Sequence, residues 1–99
     1  MSEGNGLVYE IKFSQNIRKT IVQLHQQAAH RGEGQEFLDA LRIIHHRLRR
    51  DAAHFGQPLF RLRALKLMVY QVVVAPVVMV YVVHEEKPLV FLRSVKLLD

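Results

Sequence analysis

The stretch that decides the fold of this chain is VVVAPVVMVYVV, residues 72–83. Together with the residues that precede it, from Leu67 onward, it forms an apolar run interrupted only by Gln71 and containing two tyrosines. A transmembrane helix needs about 20 consecutive apolar residues. Length alone therefore admits a membrane span, and the choice between a span and a sheet rests on residue type.

Residue type favours a β-hairpin. Nine of the fifteen residues from 69 to 83 are valine, whose branched β-carbon is restricted in a helix and packs well on a sheet. Pro76 lies at the centre, where a helix would lose a hydrogen bond and clash with its preceding turn. Two strands of about seven residues that turn at Ala75 and Pro76 explain both features. A membrane-inserted segment is the alternative.

Length, cysteine content and charge limit the class of protein. The 99 residues suffice for one domain with one core, which we place at residues 8–99. Because there is no cysteine, neither a disulfide framework nor a thiolate metal site is available. Residues 1–7 are polar and glycine-rich, unlike a secretory signal, so we expect a disordered lead and a cytoplasmic protein. The net charge of +5 favours a polyanion or an acidic protein as partner.

The first half of the chain predicts a strand followed by two helices. VYEIKFS (residues 8–14) alternates apolar and polar side chains, as a half-exposed strand does, and Ser14 is a suitable helix N-cap. HRGEGQ (residues 30–35) marks the loop between the helices. We predict the second helix at about residues 35–50. The apolar stripes that define the two helices are Ile17, Ile21, Leu24 and Ala28 in the first, and Phe37, Leu38, Leu41, Ile44 and Leu48 in the second.

The second half predicts strands alone. A loop at residues 54–58 leads to a short strand or extended segment at residues 60–65, then to the valine hairpin, a polar turn at residues 84–88 and a last strand at residues 89–98. This order, β-α-α-β-β-β with one further short strand, predicts an α+β fold. In that fold a helical hairpin packs on one face of an antiparallel meander sheet.

With this element order the chain resembles the RelE/ParE superfamily, the small toxins of bacterial type II toxin–antitoxin (plasmid-stabilisation) modules. The resemblance extends from residue 8 to residue 98. It is carried by YEIKFS opening directly into a helix, by LRRDAAHFG at the end of the second helix, and by VVMVYVV followed by LVFLRSV. Family members bear a tyrosine comparable to Tyr81 in the strand before the last one.

The resemblance implies two kinds of activity. Members either cut messenger RNA on the ribosome or inhibit DNA gyrase, and the ribonucleases use lysine and arginine on the concave sheet face. Laid on that pattern, the basic positions of the family fall on Gln71, Val73, Val78 and Leu98, none of which is basic. The resemblance therefore implies the fold and favours action by binding over catalysis.

Basic residues elsewhere are candidates for contacts with phosphate or with another target. A rim around the sheet comprises Arg61, Arg63, Lys66, Arg93 and Lys96, and a cluster on the second helix comprises Arg42, Arg49 and Arg50. Each such charge adds to a salt-dependent affinity for nucleic acid. The same residues also suit solvated strand edges and a helix end matched to its dipole. On a regular strand Arg93 and Lys96 lie on opposite faces, so one groove would need a bulge to contain both.

The six histidines do not form a metal-binding pattern. The pair His45–His46 and the residues His25 and His30 lack the i, i+4 spacing of a zinc pair. We therefore expect no metal and no cofactor. His84, beside Glu85 and Glu86, is a weak candidate for a general base, with a role in the turn as the alternative.

The valine strands lack the alternation expected of a sheet with one wet face. Helices on one side would leave the other side apolar, more than a soluble monomer usually exposes. A partner is therefore expected there, either an antitoxin that is acidic and encoded by an adjacent gene, or a second copy of the chain. The residues expected at this interface are Val73, Val78, Val80, Val82 and Leu92.

Three functions remain open at this point. The first is a toxin-like protein that binds the translation or gyrase machinery and is neutralised by an antitoxin. The second is a messenger RNA endonuclease with relocated basic residues among Arg61, Arg63, Arg93 and Lys96. The third is a non-toxic homodimeric binding module.

Overall fold

The strand–helix–helix–strands order is confirmed in the computed structural model of the chain, which describes residues 8–98. The elements are β1 (Glu10–Lys12), α1 (Gln15–His30), α2 (Gly34–Phe55), β2 (Gln57–Leu62), a 3-10 turn (Arg63–Leu65), β3 (Leu67–Val74), β4 (Val77–His84) and β5 (Leu89–Leu97). The predicted lead at residues 1–7 lies outside the described residues.

The valine-rich run is the predicted hairpin. β3 and β4 pair antiparallel along their whole length, from Leu67 opposite His84 to Val74 opposite Val77. Ala75 and Pro76 form the turn and are joined by a cis peptide bond. A single helix over this run is therefore wrong. Within residues 8–98, no helix combines the length and apolar character needed to cross a membrane.

The five strands form one mixed sheet in the order β1-β5-β4-β3-β2. The antiparallel meander is confirmed for β2 to β5. β1 adds in parallel to β5, where Glu10, Ile11 and Lys12 lie opposite Leu89, Val90 and Phe91. Both helices pack on the same face of the sheet, where their apolar residues and those of the strands form one core.

The helix ends follow the sequence signals, with a short extension at the end of α2. The Ser14 hydroxyl accepts a hydrogen bond from the Ile17 amide at 3.1 Å, and α1 ends just before Gly32, whose φ is +76°. The regular part of α2 ends after Arg50, as predicted, because Asp51 leaves the helical conformation (φ −150°, ψ 31°). A second, short helical segment follows this kink, buries Ala52 and runs to Phe55.

Tyr81 links the end of α2 to the centre of the sheet. Its ring is fully buried and stacks on Tyr70, with ring centroids 5.3 Å apart. Its hydroxyl donates to the Ala52 carbonyl and accepts from the Gly56 amide, both at 2.8 Å. Burial raises the pKa of Tyr81 to about 12. This phenol therefore holds the chain where it leaves α2 for β2.

The predicted far-face position of Leu92 is wrong. Leu92 pairs with Tyr81 and Val90 pairs with Val83, so both side chains point towards the helices. A bulge then makes Arg93 the extra residue, because Ser94 is the next partner, opposite Val80. The shift also turns Val95 and Leu97 towards the helices. Val90, Leu92, Val95 and Leu97 can therefore all face the helices only because of the bulge. A prediction that alternates faces strictly along β5 does not include it.

Candidate functional site

The face of the sheet away from the helices, here called the far face, carries a short row of Leu62, Leu67 and His84 at the end near the β4–β5 turn, and three further cross-strand rows of side chains. The register defines the first row as Phe60, Val69, Val82 and Phe91, the second as Gln57, Gln71, Val80 and Ser94, and the third as Val73, Val78 and Lys96. The far face thus changes along the strands from an apolar row to a mixed row and then to a row that ends on a cation.

The apolar row is largely covered by the chain itself. Val69 and Val82 are only 1% and 7% exposed although no helix lies over them. They occupy the middle of the row, with a phenylalanine at each end, and such cross-strand neighbours cover one another on a twisted sheet. Burial of these valines therefore needs no partner.

The third row borders an open hollow. Six residues line it and define what is here called the Lys96 hollow, with a volume of about 320 Å³: Gln71, Val73, Val78, Lys96, Leu97 and Leu98. Val73 is 49% exposed and Val78, opposite it in the register, is 6% exposed. Val73 is thus available to a ligand, whereas Val78 is buried at the bottom of the hollow.

The four positions that the family resemblance singles out all lie in this hollow. Gln71 and Val73 come from β3, Val78 comes from β4 and Leu98 follows β5, and the sheet brings them together. Their convergence depends on the β3–β4 register and on the Leu98 amide, which donates to the Pro76 carbonyl at 2.8 Å. Lys96 is the only cation among the lining residues.

Two predicted rim residues, Arg61 and Lys66, are engaged at the opposite end of the sheet. The Arg61 guanidinium binds both carboxylate oxygens of Glu85, with Nη2 at 2.9 Å from Oε1, and the Lys66 ammonium binds Glu86 at 2.8 Å. The Arg61 hydrogen bond holds the pKa of Glu85 below its usual value, and the same bond raises the pKa of Arg61. Val73 lies six positions after Leu67 in β3, and each position adds about 3.3 Å along a strand. This end of the sheet is therefore about 20 Å from the Lys96 hollow.

His84 has a structural role in the β4–β5 turn. Its Nδ1 accepts hydrogen bonds from the backbone amides of Glu86 and Lys87 at 3.0 and 3.1 Å. In the neutral ring the proton must then sit on Nε2, which leaves no free lone pair for a general base. His84 also lines an open pocket of about 420 Å³ with Arg61 and Glu85. The turn interpretation is therefore favoured.

The basic cluster of α2 lies on the helical layer, away from the far face. Arg42 is held by Asp39 at 2.9 Å. Arg49 and Arg50 are exposed, and the Arg49 carbonyl accepts a hydrogen bond from the Tyr9 amide at 2.7 Å, which ties the start of β1 to α2. The basic residues of the sequence therefore occupy separate surfaces, and the structure joins neither Arg61 nor Arg49 to Lys96.

The chemistry of the Lys96 hollow suits binding. Among the described residues its lining is apolar apart from one amide and one ammonium group, and it includes no histidine, aspartate or glutamate. Proton transfer in RNA cleavage requires a positioned acid or base. Across the described ranges, no three His, Asp or Glu side chains are grouped to hold a metal ion.

Three features of the site were not predicted from the sequence. They are the bulge at Arg93, the part of Leu97 in the hollow and the covering of the apolar row by Phe60 and Phe91. The spacing of apolar residues in β5 was the one signal for the bulge. A scan against protein-family models and searches among curated proteins and solved structures found no match to this chain.

Proposed function

We propose that this chain is a toxin-like component of a bacterial type II toxin–antitoxin module with a RelE/ParE-like fold. In this proposal it acts in the cytoplasm by binding the translation or gyrase machinery, and an acidic antitoxin encoded beside it neutralises it. The observation that carries the proposal is the Lys96 hollow, because it lies where the resemblance puts the family's functional positions.

The lining of the hollow supports a binding mode in place of catalysis. Val73 and Leu98, both substantially exposed, offer an apolar surface, and Lys96 beside them offers one positive charge. This combination suits a target that presents an apolar or aromatic group next to an anion. A ribonuclease would instead need several groups to stabilise charge and move a proton.

The endonuclease alternative has less support. Its relocated residues would have to act together, but Arg61 is paired with Glu85 at the end of the sheet opposite to Lys96. The bulge at Arg93 does remove the objection that Arg93 and Lys96 must lie on opposite faces. Even so, the far face offers only these two cations near the hollow among the described residues, and the positions onto which the family's other basic residues fall are uncharged.

The homodimer alternative loses its main argument, and so does the expectation that an antitoxin covers the far face. Both rested on a far face too apolar to remain wet, but Val69, Val78 and Val82 are already buried within one chain. A net charge of +5 on each copy further opposes self-association.

The test is induced expression in a bacterial host, with growth, protein synthesis, message integrity and plasmid supercoiling followed together. We expect growth arrest without new message ends, relieved by Lys96→Glu and by Val73→Glu in the hollow. Lys87→Glu is the matched control, because it makes the same charge change in the exposed β4–β5 turn. It should leave the arrest intact.

The outcomes separate the candidates. Arrest of translation with intact messages points to the ribosome, and loss of supercoiling points to gyrase. New message ends that vanish in Lys96→Glu would establish the endonuclease. Growth unaffected by well-folded, abundant protein would refute the toxin proposal.

A further inference from the structure

The open pocket that His84, Arg61 and Glu85 line is here called the Arg61 hollow. Its volume is about 420 Å³, within the range of about 300–1,000 Å³ that is typical of small-molecule sites. Met68 from β3 and Val83 from β4 also line it, and both side chains are on the helix side of the sheet. The hollow is at the opposite end of the sheet from the Lys96 hollow and on the other face, so the two are separate surfaces.

Arg61 lies in the same cross-strand row as the apolar part of this hollow. It pairs with Met68, which pairs with Val83, so the three side chains are on one face. Glu85, the residue after β4, binds the Nε and Nη2 groups of the guanidinium. The Nη1 group makes no hydrogen bond within residues 8–98. Glu85 therefore holds the guanidinium by one edge and leaves the Nη1–Nη2 edge as a free pair of donors.

Tyr70 adds a hydroxyl that lacks a partner. The residue lines the hollow and is only 9% exposed, yet its hydroxyl has no hydrogen bond to the described residues. The hydroxyl oxygen is accessible, because within residues 8–98 Glu33 Oε1 is the one fully buried side-chain oxygen or nitrogen without a partner. Buried phenols usually bind a partner, as Tyr81 does. Burial raises the pKa of Tyr70, and the neighbouring Tyr9 and Glu85 raise it further, so the protonated hydroxyl is available to a ligand.

The charges around the Arg61 hollow favour an uncharged ligand. Arg61 and Glu85 neutralise each other, and a ligand carboxylate at the free edge of the guanidinium would lie close to the Glu85 carboxylate and be repelled by it. Two donors side by side match two adjacent acceptor atoms on a planar group. Of the four DNA bases only guanine presents such a pair, O6 and N7, and arginine is its commonest specific partner.

We propose that the Arg61 hollow binds the base of a guanine nucleoside. The free edge of Arg61 binds O6 and N7, the ring contacts Met68 and Val83, and the Tyr70 hydroxyl binds a polar group of the ligand. Adenine is disfavoured because its N6 amino group would meet a donor. Among the described residues Arg61 is the only arginine or lysine that lines the hollow, so the base is recognised and not a phosphate.

The test is a titration of the full chain with guanosine, followed by NMR of the backbone amides and of the Arg61 Nε–H group. We expect shifts at Arg61 and at the amides of Met68, Tyr70 and Val83, and none at the residues of the Lys96 hollow. Inosine, which keeps O6 and N7, should bind as guanosine does. Adenosine and 7-deazaguanosine each lack one acceptor of the pair and should bind about tenfold more weakly.

Two substitutions test the groups that bind the base. Arg61→Lys keeps the charge but removes the paired donors, and it should weaken guanosine binding about tenfold. Arg93→Lys is the matched control, because it makes the same change at an exposed arginine of β5, and it should leave binding unchanged. Tyr70→Phe removes only the hydroxyl and should weaken binding about threefold. A well-dispersed amide spectrum establishes that each variant is folded.

The base is available from two sources, which a short all-thymine strand with and without one guanine distinguishes. If the guanine strengthens binding of the strand and Arg61→Lys removes the gain, the hollow binds a base within single-stranded nucleic acid. If the chain binds guanosine but the strand gains nothing, the ligand is the free nucleoside.

Several results would overturn the proposal. They are equal binding of guanosine and adenosine, undiminished binding by Arg61→Lys, and tighter binding of benzoate than of guanosine. Absence of shifts with millimolar guanosine and inosine would also refute it. The proposal is independent of the proposed function, so its failure would leave the growth experiment on the Lys96 hollow unaffected.

Discussion

The Tyr81 hydroxyl lies 2.8 Å from the Gly56 amide, and this contact joins the central strand of the sheet to the first residue after α2. The same oxygen donates to the Ala52 carbonyl, so one phenol satisfies two backbone groups at the helix end. Both the orientation of α2 and the start of β2 depend on it.

Tyr81→Phe should lower the free energy of unfolding by about 1–3 kcal/mol, because the Ala52 carbonyl and the Gly56 amide both lose their partner in a buried place. Urea unfolding followed by circular dichroism measures the change. Tyr70→Phe is the control, since the Tyr70 hydroxyl has no hydrogen bond to the described residues, and it should be close to neutral. Equal effects of the two substitutions would contradict the assignment.

Stability should fall at high pH through Tyr81. Burial raises its pKa to about 12 from an ordinary value of 10, so the folded state retains the phenol proton after the unfolded state has lost it. The contribution is complete below pH 10 and is lost as the pH rises through 12, by about 3 kcal/mol in all. Urea unfolding across this range should show a steeper loss for the native chain than for Tyr81→Phe. Parallel losses would disprove the role of Tyr81.

Gly56→Ala should be strongly destabilising although the φ of Gly56, −94°, suits any residue. The added Cβ would lie 2.7 Å from the Tyr81 hydroxyl and 2.9 Å from the Gln71 carbonyl oxygen. Relieving such contacts costs about 1–3 kcal/mol. Gly34→Ala, whose Cβ would meet Ala29 at 3.3 Å in the first turn of a helix, is the control and should change the melting temperature little. A stable Gly56→Ala variant would show that the junction is looser than described.

Val73 and Val78 should respond differently to the same substitution although they pair directly. Threonine keeps the branched shape but adds a hydroxyl. At Val78, 6% exposed, the hydroxyl would be buried, at a cost of about 1–3 kcal/mol if it remains unpaired. At Val73, 49% exposed, the change should remain within about 0.5 kcal/mol. Chemical denaturation of the two variants tests this, and equal stabilities would mean that Val78 is not packed within a single chain.

Glu85→Gln should strengthen binding to phosphate polymers by releasing Arg61. The substitution removes a carboxylate that binds the guanidinium through two contacts. The salt concentration that elutes the chain from heparin should therefore rise. Glu36→Gln makes the same charge change at an acid that has no cationic partner in residues 8–98, and its shift should be smaller. Equal shifts would show that Arg61 is accessible despite Glu85.

The main elements were predictable because their signals are local. Valine content and Pro76 were sufficient for the hairpin, and the two strands do present Val73 and Val78 on the far face as predicted. The face of Leu92 was not predictable by counting residues, because it depends on which residue of β4 it meets. The parallel pairing of β1 is likewise set by packing over long sequence separation, which a three-residue strand does not encode.

The site was predictable to a smaller extent. The resemblance laid the family's basic positions on Gln71, Val73, Val78 and Leu98, where this chain has no basic residue, and these four residues lie together in the hollow. That they form a functional site stays a prediction. The positions of the arginine side chains could not be predicted from the sequence. Arg61 forms an ion pair with Glu85 and Arg42 forms one with Asp39, and the spacing of the arginines does not indicate these pairs. Tyr81 stands out in a valine strand, but its two hydrogen bonds connect residues 25 and 29 positions away.

The position of Leu98 has a practical consequence for the laboratory. Since this residue lines the Lys96 hollow, an affinity tag on the carboxyl side of Leu98 would start its course beside the hollow. A tag placed ahead of residue 1 would instead precede β1, whose first contacts are with α2 and Pro88. Assays of the tagged chain should therefore use the amino-terminal fusion, and a protein inactive only when tagged at its carboxyl end would itself locate the working surface.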